Sequence, residues 1–151
     1  MKKLLLLPLL FACASAHAVP NIWTMGFWGG YAEYSIQDSD SRVLRIACES
    51  GAGDEYEHSA SVEVGNKKYQ NSDSEHPLTF LLDDKKSVTP PASSGWHGGD
   101  QAWNEFIYGM SKARKIDAYL DNKKITTFTP IKSSVDEVAK GMADCKGKLS
   151  Q

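Results

Sequence analysis

Beyond its first 18 residues the chain carries two cysteines, Cys48 and Cys145, at opposite ends of what remains. An even pair in an exported chain reads as a disulfide. A bond enclosing about a hundred residues restricts the unfolded chain enough to stabilise a fold by roughly 4 to 5 kcal/mol. It also ties two distant pieces of structure together. Leu44, Ile46 and Cys48 fall on one face of a strand predicted from Val43 to Ala47, so Cys48 starts from a core-facing position. Val135, Val138, Ala139 and Met142 share one face of a helix, with Cys145 in its last turn and Gly147 as its stop. Ser134-Val135-Asp136-Glu137 spells a capping box, which predicts Ser134 as the N-cap of that helix.

The oxidising compartment that a disulfide needs is suggested by the opening of the chain. Met1-Lys2-Lys3 is a charged start, Leu4 to Phe11 an apolar run, and Ala16-His17-Ala18 a small-x-small cleavage site. The expectation is a signal peptide over residues 1–18, then a single exported β-rich domain over residues 19–151, in the periplasm. The apolar run is too short to cross a bilayer as a helix. Leu10-Phe11-Ala12-Cys13 approximates a lipobox, and the alternative is a structural lipoprotein anchored at Cys13. Loss of Lys2 and Lys3 with the signal moves the formal charge from −2 to about −4, and no basic block remains. That argues against nucleic acid and against an electrostatic grip on anionic lipid.

Period-two alternation recurs along the chain. Ala32, Tyr34 and Ile36 predict a strand over Tyr31 to Gln37, and Ala60, Val62 and Val64 another. Gly65-Asn66 is a two-residue hairpin turn into Lys67 to Tyr69. Leu78, Phe80 and Leu82 predict a further strand, and a short one with Val88 follows the charged turn Asp83 to Lys86. Asp38-x-Asp40 lacks the glycine and distal glutamate of a calcium loop and reads as a turn. Trp103, Phe106, Ile107 and Met110 have helical spacing, with Asp100 as the predicted N-cap of about three turns. Ile116 to Leu120 and Ile125 to Thr129 form a hairpin around Asp121 to Lys124. Six to eight strands and two helices without strand–helix–strand alternation predict an α+β fold. It is mainly an antiparallel β sandwich with two helices, closed by one disulfide.

Chemistry-bearing patterns are sparse. His58, His76 and His97 have neither mutual nor cysteine spacing suited to a metal. His97 and Asp100 could act as a general base and its orienting carboxylate, which gives an envelope hydrolase as the second hypothesis. There is no G-x-S-x-G elbow, Gly-rich phosphate loop or dinucleotide fingerprint, so no cofactor is expected. Two segments rich in Trp and Gly, Trp23 to Tyr31 and Gly95 to Trp103, suit a recognition surface better. The candidate partner-binding residues are Trp23, Trp28, Trp96 and His97. The plainer alternative for the first segment is an aromatic anchor on the core, and Trp103 belongs to the apolar helix face.

The pattern Leu44-x-Ile46-x-Cys48, the helix with Phe106 and Met110, and the strand Ile116 to Leu120 resemble two groups of small exported bacterial proteins. The resemblance continues through Ile125-Thr126-Thr127-Phe128-Thr129-Pro130 and a final helix closing on Cys145. The groups are the VasI/TagO-like accessory proteins of type VI secretion and the invasion-associated locus B family. The resemblance implies a periplasmic, disulfide-closed, largely β domain that acts by binding and has no catalytic residues to carry over. The leading expectation is a non-catalytic binding or accessory protein of the envelope, of inhibitor or immunity type, with a protein partner.

Overall fold

The computed structural model describes residues 19–51, 57–147 and 149–150. The signal-peptide reading of residues 1–18, Cys13 included, lies outside the described residues. Among the described residues, nine strands and two helices form two antiparallel sheets and a helical cover. The first sheet is a meander of β1 (Thr24–Trp28), β2 (Tyr31–Gln37), β3 (Val43–Glu49), β4 (Ser59–Val64) and β5 (Lys67–Gln70), ordered as in the chain. β6 (Leu78–Leu82) and β7 (Lys86–Val88) begin the second sheet. The chain then leaves through α1 (His97–Met110) and returns as β8 (Ile116–Leu120) and β9 (Lys123–Phe128) before α2 (Lys132–Ala143). The second sheet has the order β7-β6-β8-β9.

Tight turns make the meander possible. Gly29 and Gly30 between β1 and β2 have φ of 58° and 85°, and Asp121 and Asn122 between β8 and β9 have φ of 51° and 62°. Two-residue loops with both central residues left-handed match the twist of the strands they join.

Alternation then decides which side chains are buried. Tyr34 and Ile36, Leu44, Ile46 and Cys48, and Ala60 and Val62 form the buried face of the first sheet. Leu78, Phe80 and Leu82, Ile116 and Ala118, and Phe128 form that of the second. These residues share one core with Trp103, Phe106, Ile107 and Met110 of α1 and with Val135, Val138 and Met142 of α2. The Phe106 ring lies 5.3 Å from Trp103 and 5.7 Å from Phe80, which locks α1 onto the second sheet.

The fold is thus α+β and mainly antiparallel β, with two helices and one disulfide. Cys48 at the end of β3 is bonded to Cys145, with an S–S distance of 2.05 Å and a sequence separation of 97. Cys145 stands just past α2 rather than in its last turn.

Both predicted helix caps are wrong, for one physical reason. α1 starts at His97, so Asp100 lies inside its first turn. α2 starts at Lys132, and Ser134 is inside it. Each side chain serves a distant partner instead. The Ser134 hydroxyl accepts the Trp23 backbone N–H at 3.1 Å and donates to the Ile131 carbonyl. It thereby holds the chain entering β1 against α2.

Candidate functional site

The four candidate binding residues have different fates. Trp23 is 2% exposed and packs in the core, so it is an anchor and not part of a binding surface. Trp28 is 84% exposed and Trp96 61% exposed. His97 is exposed as the first residue of α1.

β1 is the outermost strand of its sheet, and every residue in it is exposed. Met25 and Phe27 pair with Tyr34 and Ala32, so they point to the core side of the sheet yet overhang its margin. Gly26 and Trp28 pair with Glu33 and Tyr31 on the outer side. The other three edge strands carry lysine: Lys67 and Lys68 on β5, Lys86 on β7, Lys123 and Lys124 on β9. Lysine on an edge discourages pairing with another chain. β1 alone lacks this protection and presents Met, Gly, Phe and Trp.

Beside Trp28 the outer face is hollowed. A concavity of about 220 Å³ is lined by Trp28, Tyr31, Glu33, Ala47, Glu57 and Ser59. The Glu57 carboxylate accepts from Ser93 Oγ at 2.7 Å and from the Ser94 N–H at 3.2 Å. Glu57 therefore fixes the loop leading to Trp96 against the rim of the Trp28 hollow, and brings the two Trp- and Gly-rich segments to one end of the protein. The Trp96 ring folds back over Gly98, where an added Cβ would fall 2.1 Å from it. At Gly99 an added Cβ would fall 2.1 Å from the Ser93 carbonyl oxygen, so the loop can close on α1 only with glycine there.

Asp100 is not an orienting partner for His97. Its carboxylate accepts from the Leu149 N–H at 2.8 Å, from Asn104 Nδ2 at 3.1 Å and from Ser150 Oγ. Burial would raise its pKa, but these donors outweigh burial and hold it below the ordinary carboxylate value. The carboxylate is a clasp for Leu149 and Ser150.

His58, which carries no local signal of its role, belongs to the same clasp. It is 3% exposed and stacks on Trp103 with ring centroids 5.1 Å apart. Its Nδ1 accepts the Glu49 N–H at 2.9 Å, and Nε2 lies 2.6 Å from the Lys146 carbonyl. A carbonyl can only accept, so Nε2 is the donor in that contact. Trp103 Nε1 donates to the Cys145 carbonyl at 2.9 Å, so both rings brace the backbone on either side of the disulfide.

A further concavity, of about 480 Å³, is polar and lies between the β2–β3 turn and β9. Its charges are spent on one another. Arg42 pairs with Asp38 and Asp40, Thr126 donates to Asp38, and Lys124 turns to Asp117 at 2.7 Å. No group of acidic, His or Cys side chains suited to a metal occurs among the described residues. No described helix is long and apolar enough to cross a membrane.

These features define a class: a small, disulfide-closed, two-sheet domain with one unprotected aromatic edge. The chain belongs to the YfjT family, whose model matches residues 21–137, from the entry to β1 into the first half of α2. It is 33% identical over 149 residues to Escherichia coli (strain K12) YfjT, covering 96% of this chain and 95% of that protein. It is 30% identical over 149 residues to YkfB of the same strain, with the same shares covered. Both relatives are described as uncharacterized. No solved structure matches the chain.

Proposed function

We propose that the chain is a non-catalytic binding protein of the bacterial envelope, exported to the periplasm, that captures a protein partner along β1. The observation that carries this reading is the contrast among edges: three bear lysine, and the fourth bears exposed Met25, Phe27 and Trp28. Large apolar side chains on an open strand edge are a hazard unless a partner covers them. Strand addition would cover them and complete the ladder at the same time. The disulfide is compatible with an oxidising space.

The test is affinity capture from the bacterial envelope with oxidised protein as bait. Trp28→Ala, or Met25→Lys with Phe27→Lys, should lose the partner while unfolding in urea within about 0.5 kcal/mol of the parent, as exposed positions do. Trp23→Ala should instead cost about 3 to 5 kcal/mol of stability, as buried Trp does. Undiminished capture by the β1 variants would sink the reading. Mass spectrometry of the mature N-terminus tests export: Val19 for a cleaved signal, an acylated Cys13 for a lipoprotein.

A further inference from the structure

We infer that the strand added at β1 is β1 of a second copy of this chain, paired antiparallel about Gly26, with Phe27 of each copy seated in an apolar hollow beside Met25 of the other. The inference rests on the strand-addition reading and names the occupant.

The backbone sets the register. Trp28 and Tyr31 close a two-residue turn, and the closing pair of such a hairpin is hydrogen-bonded. By alternation, Gly26 and Thr24 also bond toward β2, while Met25 and Phe27 turn their N–H and C=O groups to the open side. Trp23 has the same parity, and its N–H is already taken by Ser134 Oγ. The open residues therefore flank Gly26, one on each side. A two-fold axis at Gly26 sets Met25 of each copy against Phe27 of the other, so all their open groups find partners and the ladder closes on itself. An axis at Met25 would spend a pairing on Trp23, and an axis at Phe27 would spend one on Gly29 in the turn.

The side chains fit the same register. Between the start of β1 and α2 lies a mainly apolar concavity of about 390 Å³, lined by Ile22, Trp23, Thr24, Met25, Glu137 and Val138. Trp23 and Val138 are buried and close its inner side, so it opens past the margin of β1. A core-side residue opposite Met25 faces this hollow, and here that residue is Phe27 of the second copy, 69% exposed on its own chain. On the outer side Trp28 of each copy stands opposite Thr24 of the other. The facing glycines leave a bare floor beside the indole, since nothing lies within 4 Å of where a Gly26 Cβ would be. Met25, Phe27 and Trp28 together offer roughly 400 to 500 Å² of exposed side chain per copy. Two copies thus reach the lower end of specific interfaces, about 1,000 Å² in total, which fits a weak, reversible pair.

Neither helices nor charges obstruct the pairing. α2 leaves the β1 edge as it runs: Ser134 holds Trp23, Gly141 approaches the Tyr34 hydroxyl on β2, and beyond the helix Cys145 is bonded to Cys48 on β3. The Trp23 residues of the two copies, where each α2 meets β1, would stand six positions apart along the paired strands, about 20 Å. β1 itself carries no charged residue. Glu33, opposite Gly26 on β2, is held by Arg45 at 2.5 Å. It would face its counterpart across three strand spacings, about 14 Å, which is beyond the screening length at physiological salt.

Sedimentation equilibrium of the oxidised protein should show a reversible monomer–dimer equilibrium with a Kd of about 10 μM, as a small interface gives. Phe27→Glu, which sets an acid beside Glu137 of the other copy, should weaken it at least tenfold with an unchanged circular dichroism spectrum. Gly26→Cys places thiols at the facing pair on the axis, and should form a disulfide-linked dimer at least tenfold faster than Met25→Cys, whose thiols are out of register. Equal cross-linking rates, or a dimer that Phe27→Glu leaves intact, would overturn the inference, since the contact would then lie elsewhere or in another register. A protein that stays monomeric to about 1 mM, a hundredfold above the expected Kd, would overturn it as well. The heptapeptide TVTFTVT, added to ¹⁵N-labelled monomer in that case, separates the two readings. Shifts at the Met25 and Phe27 amides would leave strand addition standing without the second copy, and their absence would overturn both.

Discussion

Replacing Cys48 and Cys145 together by alanine tests how much of the fold depends on its one cross-link. The two residues are 97 apart, and a loop of that length corresponds to about 4.7 kcal/mol in the chain-entropy account. Both positions are buried, at 3% and 5% exposure, so alanine leaves small apolar groups where sulfur was and adds no polar cost. The backbone around Cys145 keeps its other ties, through the Trp103 indole and the His58 ring, so the native geometry has reason to persist. The loss should therefore act mainly through the unfolded chain. With a urea slope of about 1.5 to 2 kcal/mol/M for a domain of this size, the midpoint should fall by roughly 2 to 3 M. The slope itself should rise, because an uncross-linked chain exposes more surface. Equilibrium urea unfolding followed by far-UV circular dichroism reads both quantities. A midpoint loss under about 0.5 M with an unchanged slope would refute the reasoning, since the bond would then restrict nothing in the unfolded chain.

Other outcomes follow from particular contacts. Asp100 has a folded pKa below its unfolded value, so it contributes stability that is present above the unfolded value and lost as pH falls through the folded one. Asp100→Asn should flatten the acid limb of stability below about pH 5 relative to the parent. It should also speed hydrogen exchange at the Leu149 amide. Gly99→Ala drives a methyl into the Ser93 backbone and should cost about 1 to 3 kcal/mol by urea titration. Gly98→Ala meets only the swinging Trp96 ring; its stability should hold within about 1 kcal/mol, while Trp96 fluorescence shifts as the ring is displaced.

The strands were legible because burial on one face imposes a period of two that local sequence cannot disguise, as at Leu78, Phe80 and Leu82. The α1 face was legible for the matching reason at period 3.6. Helix starts were not. Ser134 and Asp100 have the composition of caps, but the groups they bind, Trp23 and Leu149, lie 111 and 49 residues away in sequence. Periodicity likewise gave no strand order, so it could not show that Trp28 ends on an outer edge while Trp23, five residues earlier, is buried. The tie between the Trp28 hollow and the Trp96 loop depends on Glu57, whose local sequence reads as plain loop.

The clasp formed by Asp100, Asn104, His58 and Trp103 closes on Cys145, Lys146, Gly147, Leu149 and Ser150, which follow the described strands and helices in sequence. A chain still emerging from the ribosome can pair its first hairpins, yet Cys48 waits for a partner 97 residues downstream. The latch can thus close only once Cys145 and the residues clasped beside it have been made. A frameshift or stop codon just ahead of Cys145 would leave both described sheets encoded and the latch missing.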